Sequence, residues 1–290
     1  MTFDLNRLPF GTTLARQIAR QHLTRFNNVY WVAERSSRYL RSAHPHLHFP
    51  PPAPGVHGIF TAPQWEKAAE EHHAWVRQHV LVSAASLLEV YIRSASVSAV
   101  TARPELIDKT YIGIDGFSFV KSKTMPKSLR DLIEAVTGGF IFGPWTDRFR
   151  RLARVFGAIP QPLLDLTLTL QSIQTKRNKI AHEFGNDGKG RQAPWDAFAI
   201  IQVGPKEIQE AITAVSNAIA LFDMRLFGPS IGGHEILQQY HIWKGKQKNY
   251  HKLYVSGGLA NEFRTYLGEQ YGSTPGSDYI RGMIAYYNGI

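Results

Sequence analysis

The segment Lys176-Arg177-Asn178-Lys179-Ile180-Ala181-His182 holds the residue types that can cleave an RNA phosphodiester without a metal. Histidine titrates near neutrality, so His182 can take a proton from a ribose 2′-OH or return one to a leaving 5′-oxygen. A guanidinium forks onto two phosphate oxygens, so Arg177 can stabilise charge that grows in the transition state. Lys179, between them, is a supporting candidate. Residues five apart on a helix differ by about 140°, so Arg177 and His182 do not share a face, whereas Asn178 and His182, four apart, do. One helix can then aim His182 into a seam with Asn178 behind it, while Arg177 approaches from the side. Two such helices meeting across a two-fold axis would pool two arginines and two histidines in one cleft, which makes a homodimer the natural vehicle for the site. The alternative is plainer: an Arg-Asn…His at a helix end can act as a cap, with His182 near the C-terminal dipole.

Other chemistry is thinner. Glu89, within Ser86–Ser94, is a supporting candidate that could orient His182 or pair with Arg177; an i,i+4 pair with Arg93 on its own helix is the simpler reading. Glu70-Glu71-His72-His73 contains one Glu-x-x-His, but a di-iron bundle needs a second and two more carboxylates. His44, His46 and His48 alternate, so an extended chain would put them on one side, yet no Cys or carboxylate stands near to complete a metal shell. Gly188-Lys189-Gly190 lacks the spacing and the Ser/Thr of a phosphate loop, and neither a dinucleotide fingerprint nor a nucleophile elbow is present. We expect no metal and no cofactor. The absence of cysteine excludes disulfides, thiolate metal sites and thiol catalysis.

The elements that must position these residues read as helices. The 290 residues suggest about two domains, or one with large extensions. Residues 1–43 form a basic helical extension, with Leu14, Ile18, Phe26, Val29 and Ala33 as its apolar positions and Arg16, Arg20, Arg35, Arg38 and Arg41 as basic stripes. Residues 44–60 are a Pro/His-rich linker, since four prolines in His48–Gly55 forbid a helix. Residues 61–227 read as all-α. A long helix to about Val100 has Val76, Val80, Ser83, Leu87, Val90, Ser94 and Val97 on one face. Thr110–Lys123 alternates and suggests a short hairpin or an ordered loop. Helical pattern returns at Lys127–Ala135 and Thr146–Phe156. A longer helix runs from near Gln161 through the motif to a cap at Gly185-Asn186, and a last one follows Gly204-Pro205. Residues 228–290 form a basic and aromatic extension.

Charge points to the partner. Lys plus Arg number 33 against 23 acids, a net charge of +10 that favours a polyanion. In the tail, Trp243, Tyr250 and Tyr254 interleave with Lys244, Lys246, Lys248 and Lys252, which suits stacked bases and contacted phosphates of single-stranded RNA; the alternative is rings packed on the bundle and solvated lysines. Arg148–Arg154 is a further basic face, read as solvated. No stretch approaches the ~20 apolar residues of a membrane span, and Met1–Phe10 lacks the order of a secretory signal, so the expectation is a soluble, cytoplasmic protein without a membrane partner.

Arg177-Asn178-Lys179-Ile180-Ala181-His182 resembles the R-x4–6-H motif of HEPN domains, including the Asn that commonly follows the Arg. The early helix with Ser86–Ser94 and the closing helix after Gly204-Pro205 also resemble that family, over residues 61–227. The resemblance implies a HEPN-like up-and-down helical bundle that dimerises with both motifs at the interface. It implies a metal-independent ribonuclease of a toxin–antitoxin or anti-phage defence system, with an antitoxin or defence partner, or else a non-catalytic relative that only binds RNA or acts as scaffold or sensor. Carried over, Arg177 stabilises the phosphate, His182 is the catalytic histidine, and Asn178 orients His182 or contacts substrate. One feature departs: where a subset of the family continues His-x-Tyr, with the Tyr as a modification target, this chain has His182-Glu183-Phe184.

Overall fold

A computed structural model of the protein describes residues 3–43, 61–108, 126–183, 201–255 and 258–289. It is about 81% helical with no strand among the described residues, so the fold is all-α, as the 3.6-residue periodicity predicts. The linker with His44, His46 and His48, the alternating stretch Thr110–Lys123 and the expected cap at Gly185-Asn186 lie outside the described residues.

The helices are α1 (Leu14–Ala43), α2 (Ala62–Ala102), α3 (Glu105–Asp108), α4 (Pro126–Gly138), α5 (Trp145–Phe156), α6 (Gln161–Leu164), α7 (Thr167–Glu183) and α8 (Pro205–Phe222). A π-helical turn, Asp223–Phe227, leads from α8 into α9 (Gly228–Ile231). After it come α10 (His234–Lys246), α11 (Tyr250–Val255), α12 (Leu259–Tyr271) and α13 (Ser277–Asn288). The single helix expected from Gln161 is two, because the first ends at Leu164, capped by Asp165, and α7 starts anew at Thr167. Local signals explain several ends. In α5, Asp147 stands in the first turn and Arg154 in the last, each complementing the helix dipole. Gly272 stops α12 in the left-handed region at φ 64°.

The chain divides into two compact units, each drawn from several stretches rather than following chain order. The first comprises Met1–Arg20, Leu88–Thr167 and Asn217–Ile290; the second comprises Gln21–Leu87 and Leu168–Ser216. In the first, Ile236, Tyr240 and Trp243 of α10 meet Phe263 and Leu267 of α12 and Ile280 and Met283 of α13. The segment before α1 is stitched into the same unit: Gly233 N donates to Leu5 O at 2.6 Å, Tyr279 Oη donates to Arg7 O at 3.1 Å, and Phe3 packs on Tyr279 and Tyr286. Gly232 permits this path. Its φ is +52°, and a Cβ there would stand 2.3 Å from Leu5 O. In the second unit, Tyr30, Val76, Val80, Leu81, Val203 and Ile208 form the core, with Phe26, Ile180 and Ile212 packed against it.

The helices are where the periodicity puts them, but two faces are rotated. On α1, Leu14 is buried and Phe26 and Ala33 pack against a core as expected, but Ile18 and Val29 are exposed and Ala19, Leu23, Tyr30 and Glu34 are buried instead. On α2 the expected face holds at Val76 and Val80 and then drifts: Val90 is 59% exposed, and Ala84, Leu88, Tyr91, Ala95 and Ala99 are buried instead. Small and apolar residues occur all round α2, so its periodicity does not single out one face. The expectation of no span-length apolar stretch is also corrected. Pro63–Ala102 and Pro205–Ile231 are long and apolar enough, at mean hydropathy 1.4 and 1.2 over their best windows. About half of each window is buried (44% and 56%), as in core helices.

Candidate functional site

The motif lies on α7 in the second unit. Leu170 and Ile173 are buried, and Ile180 packs against the core of Tyr30, Val76 and Val203. These three positions recur at three and seven, and define the inward side of the helix. Arg177 falls near that side and is half-buried; its Nη1 donates to Asn178 Oδ1 at 2.9 Å. Asn178, expected to orient His182 or to contact substrate, thus has its amide oxygen engaged by Arg177. Position 182 lies two residues past Ile180, about 160° around the helix from it. The His182 side chain is outside the described residues. Lys179 is half-buried, and Lys176 forms an ion pair with Glu207 of α8.

Glu89 belongs to the first unit, and its carboxylate accepts a hydrogen bond from Arg148 Nη2 at 3.0 Å. Arg148 corrects the reading of Arg148–Arg154 as a solvated face. It is 2% exposed, its Nε donates to Gly143 O at 2.9 Å, and its guanidinium lies 4.9 Å from the centre of the Trp145 ring. A residue of the same run as the exposed Arg150 and Arg154 is here a central strut of the unit, because Phe149, Leu152 and Val155 share its inward side.

The tail divides. Trp243 is 4% exposed and packs on Tyr240 and Phe263, so its ring is taken up by the core and offers no free face to a base. Tyr250 is half-buried; Lys244 Nζ lies 4.7 Å from its ring centre and 5.0 Å from that of Tyr287. The Tyr250 hydroxyl donates to Asn288 Oδ1 at 3.3 Å and lies 3.1 Å from the Tyr240 hydroxyl. Burial, then the bond to Tyr250, raises the Tyr240 pKa far above the usual phenol value. Lys246 and Lys248 are exposed and remain able to meet phosphates. The side chains of Lys252 and Tyr254 are outside the described residues.

Sequence reasoning missed a buried polar cluster in the first unit. Asp223, on the π turn, is fully buried and accepts from Thr13 Oγ1, from Thr13 N at 3.3 Å and from Tyr91 Oη at 3.1 Å, with Arg16 3.6 Å away. Glu235 accepts from Leu14 N at 2.6 Å. Two carboxylates from other elements thus serve the first orphan N–H groups of α1. Burial raises the pKa of Glu235 and, with the Asp223 charge, that of Tyr91. Nothing local in the sequence joins positions 13, 91, 223 and 235; the one available signal is a lone Asp at the end of an apolar helix, Ile219–Asp223.

Compared with protein-family models, curated proteins and solved structures, the chain matches none. Among the described residues, no three His, Asp or Glu side chains stand together as a metal site.

Proposed function

We propose that the protein is a metal-independent endoribonuclease of the HEPN type, acting on RNA as a homodimer in the cytoplasm. The observation that carries this reading is α7 itself: it runs unbroken from Thr167 to Glu183, so Arg177, Asn178 and His182 ride one element anchored to a core by Ile180. A half-buried arginine held by a neighbouring amide is preorganised to meet a phosphate. Position 182, on the side away from Ile180, is where a second protomer or a substrate could be met. His182 assists attack of the 2′-OH on the adjacent phosphorus, or protonates the leaving 5′-oxygen. Arg177 stabilises the pentacovalent phosphate. The products are a 2′,3′-cyclic phosphate and a 5′-OH. The net charge of +10 and exposed Lys246 and Lys248 favour retention of the polyanion. A role in growth arrest or anti-phage defence, with an antitoxin or defence partner, follows from the resemblance alone.

One observation favours a second reading, a non-catalytic HEPN-like binding or scaffold protein: Arg177 sits near the core-facing side of α7. The test is incubation of wild type and His182→Ala with end-labelled single-stranded RNA in EDTA. Cleavage by wild type alone, leaving cyclic phosphate ends, is the expected result. Cleavage at a 2′-deoxy position, or activity that needs an added divalent ion, overturns the mechanism. RNA retention without cleavage, equal in both proteins, selects the second reading.

A further inference from the structure

The Glu70–His73 run, discarded as a di-iron motif, lines a cleft in the second unit. The cleft has a volume of about 1060 Å³ and is walled by α1, the first turns of α2 and Gln202. Single ligands usually occupy clefts of roughly 300–1,000 Å³, so this one has room for a ligand of that size. Its floor is built from buried polar groups. Glu34, His73 and Gln78 are each 7% exposed. Arg77 Nη1 donates to Glu34 Oε1 at 2.9 Å, and His73 Nδ1 lies 3.7 Å from the same oxygen. Gln78 Nε2 donates to Ile201 O at 2.8 Å. The Arg77 Nε is buried and has no hydrogen-bond partner among the described residues. Removing a carboxylate, a guanidinium and an imidazole from water is costly, and a hydrophobic floor would serve the fold as well, so a buried polar cluster in a cleft is a candidate binding site.

The rim restricts what can bind. Arg38 and Lys67 are exposed and form no ion pair among the described residues, so they can meet an anion. Glu70 and Glu71, also exposed, would repel a bare polyanion but accept hydrogen bonds from ribose hydroxyls. Trp75 is 55% exposed, with the ring of His79 braced against it at 3.7 Å between centres. A large aromatic held open at the edge of a polar cleft is a stacking platform. Base, sugar and phosphate each find a complement among the residues that line this cleft. We infer that this cleft binds a nucleotide, free or as one unit of an RNA strand, with its base on Trp75, its ribose near Glu70 and Glu71, and its phosphate on Arg38 and Lys67.

This site is separate in residues from Arg177 and His182, and its test does not need ribonuclease activity. The probes are AMP, GMP, CMP and UMP, and a mixed-sequence RNA hexamer, titrated calorimetrically into wild type and His182→Ala. The variants are Trp75→Ala and the double variant Arg38→Ala/Lys67→Ala; all three side chains are exposed, so both proteins should melt as wild type does. The expected result is saturable binding to both parent proteins. Trp75→Ala should weaken it about tenfold or more, and the double variant should weaken it and flatten its salt dependence. Binding of mononucleotides assigns the cleft to a free nucleotide; binding of the hexamer alone assigns it to a strand. Absence of saturable binding by any probe, or unchanged affinity in both variants, overturns the inference. Loss of RNA cleavage in His182→Ala with cleft binding intact separates this outcome from that of the ribonuclease test.

Discussion

Asp223 offers the sharpest test of how the first unit is held together. Asp223→Ala removes an acceptor from three donors, Thr13 N, Thr13 Oγ1 and Tyr91 Oη, and leaves Arg16 without its carboxylate. Hydrogen bonds to a charged acceptor are worth about 1.5–3 kcal/mol each, but the three share one carboxylate and relax together. Stranding the partners of a buried charge typically costs about 3–5 kcal/mol, and we take that as the expected loss. Asp223→Asn keeps one acceptor oxygen and turns an amide donor toward other donors, so it should lose roughly half as much. Tyr91→Phe removes a single bond and should cost about 1.5–2 kcal/mol. The assay is urea unfolding followed by circular dichroism, with the slope checked for constancy. The decisive quantity is the coupling in the cycle of Asp223→Ala and Tyr91→Phe, expected at about 1–2 kcal/mol. A loss below about 1 kcal/mol for Asp223→Ala, or additive single variants, would refute the account of this cluster as a shared network.

Arg148→Ala should cost about 3–5 kcal/mol, because a buried guanidinium that bonds Glu89 and Gly143 O and lies over Trp145 is removed; Arg148→Lys should recover less than half, since one ammonium cannot replace a fork that serves all three. Urea midpoints of the two variants check this. Burial raises the pKa of Glu235, so its contribution to stability is fully present below the unfolded pKa and is lost as pH rises through the folded one. Melting temperatures of Glu235→Gln should therefore gain on wild type as pH rises above the unfolded carboxylate range of about 4.3, and a constant gap would sink that reasoning. In the tail, Trp243→Ala should destabilise by about 3–5 kcal/mol through loss of core contacts with Tyr240 and Phe263. Lys246→Ala with Lys248→Ala should leave the melt unchanged and lower the salt slope of RNA retention by about 1.4, or roughly 0.7 per phosphate contact.

The sequence carries the helices well and their faces less well. Strong amphipathic periodicity makes α8 legible: Ile208, Val215, Ile219 and Phe222, spaced at three, four and seven, are all buried. The same method puts Val90 and Val29 inside, where they are not, because α2 is small and apolar all round and α1 turns Tyr30 and Glu34 inward instead. Charge is the harder error. Arg148 reads as part of a solvated face and Asp223 belongs to no motif, yet each is buried because partners from distant stretches meet it: Glu89 for one, Thr13 and Tyr91 for the other. No window of sequence contains both halves of such a pair. The tail shows the converse: an interleaving of Lys and aromatic residues suits RNA, yet α10 to α13 fold Trp243 into their own core.

The motif and the cleft both belong to the second unit, and one core serves them. Ile180, between Arg177 and His182 in sequence, packs on the cluster that contains Val76; Val76 sits beside Trp75 and Arg77, which line the cleft. Val203 of the same core follows Gln202, a further lining residue. A substitution at Ile180 therefore acts on the helix that carries the motif and on the packing beneath the cleft, while Trp75 and Lys67, both exposed, act on the cleft alone. If the cleft holds one nucleotide of a strand whose scissile phosphate lies on α7, Trp75→Ala should raise KM for a long RNA and leave kcat nearly unchanged, because uniform binding is lost and transition-state contacts are not. If the cleft takes a free nucleotide, the same variant leaves RNA cleavage as it is and weakens only the binding of mononucleotide.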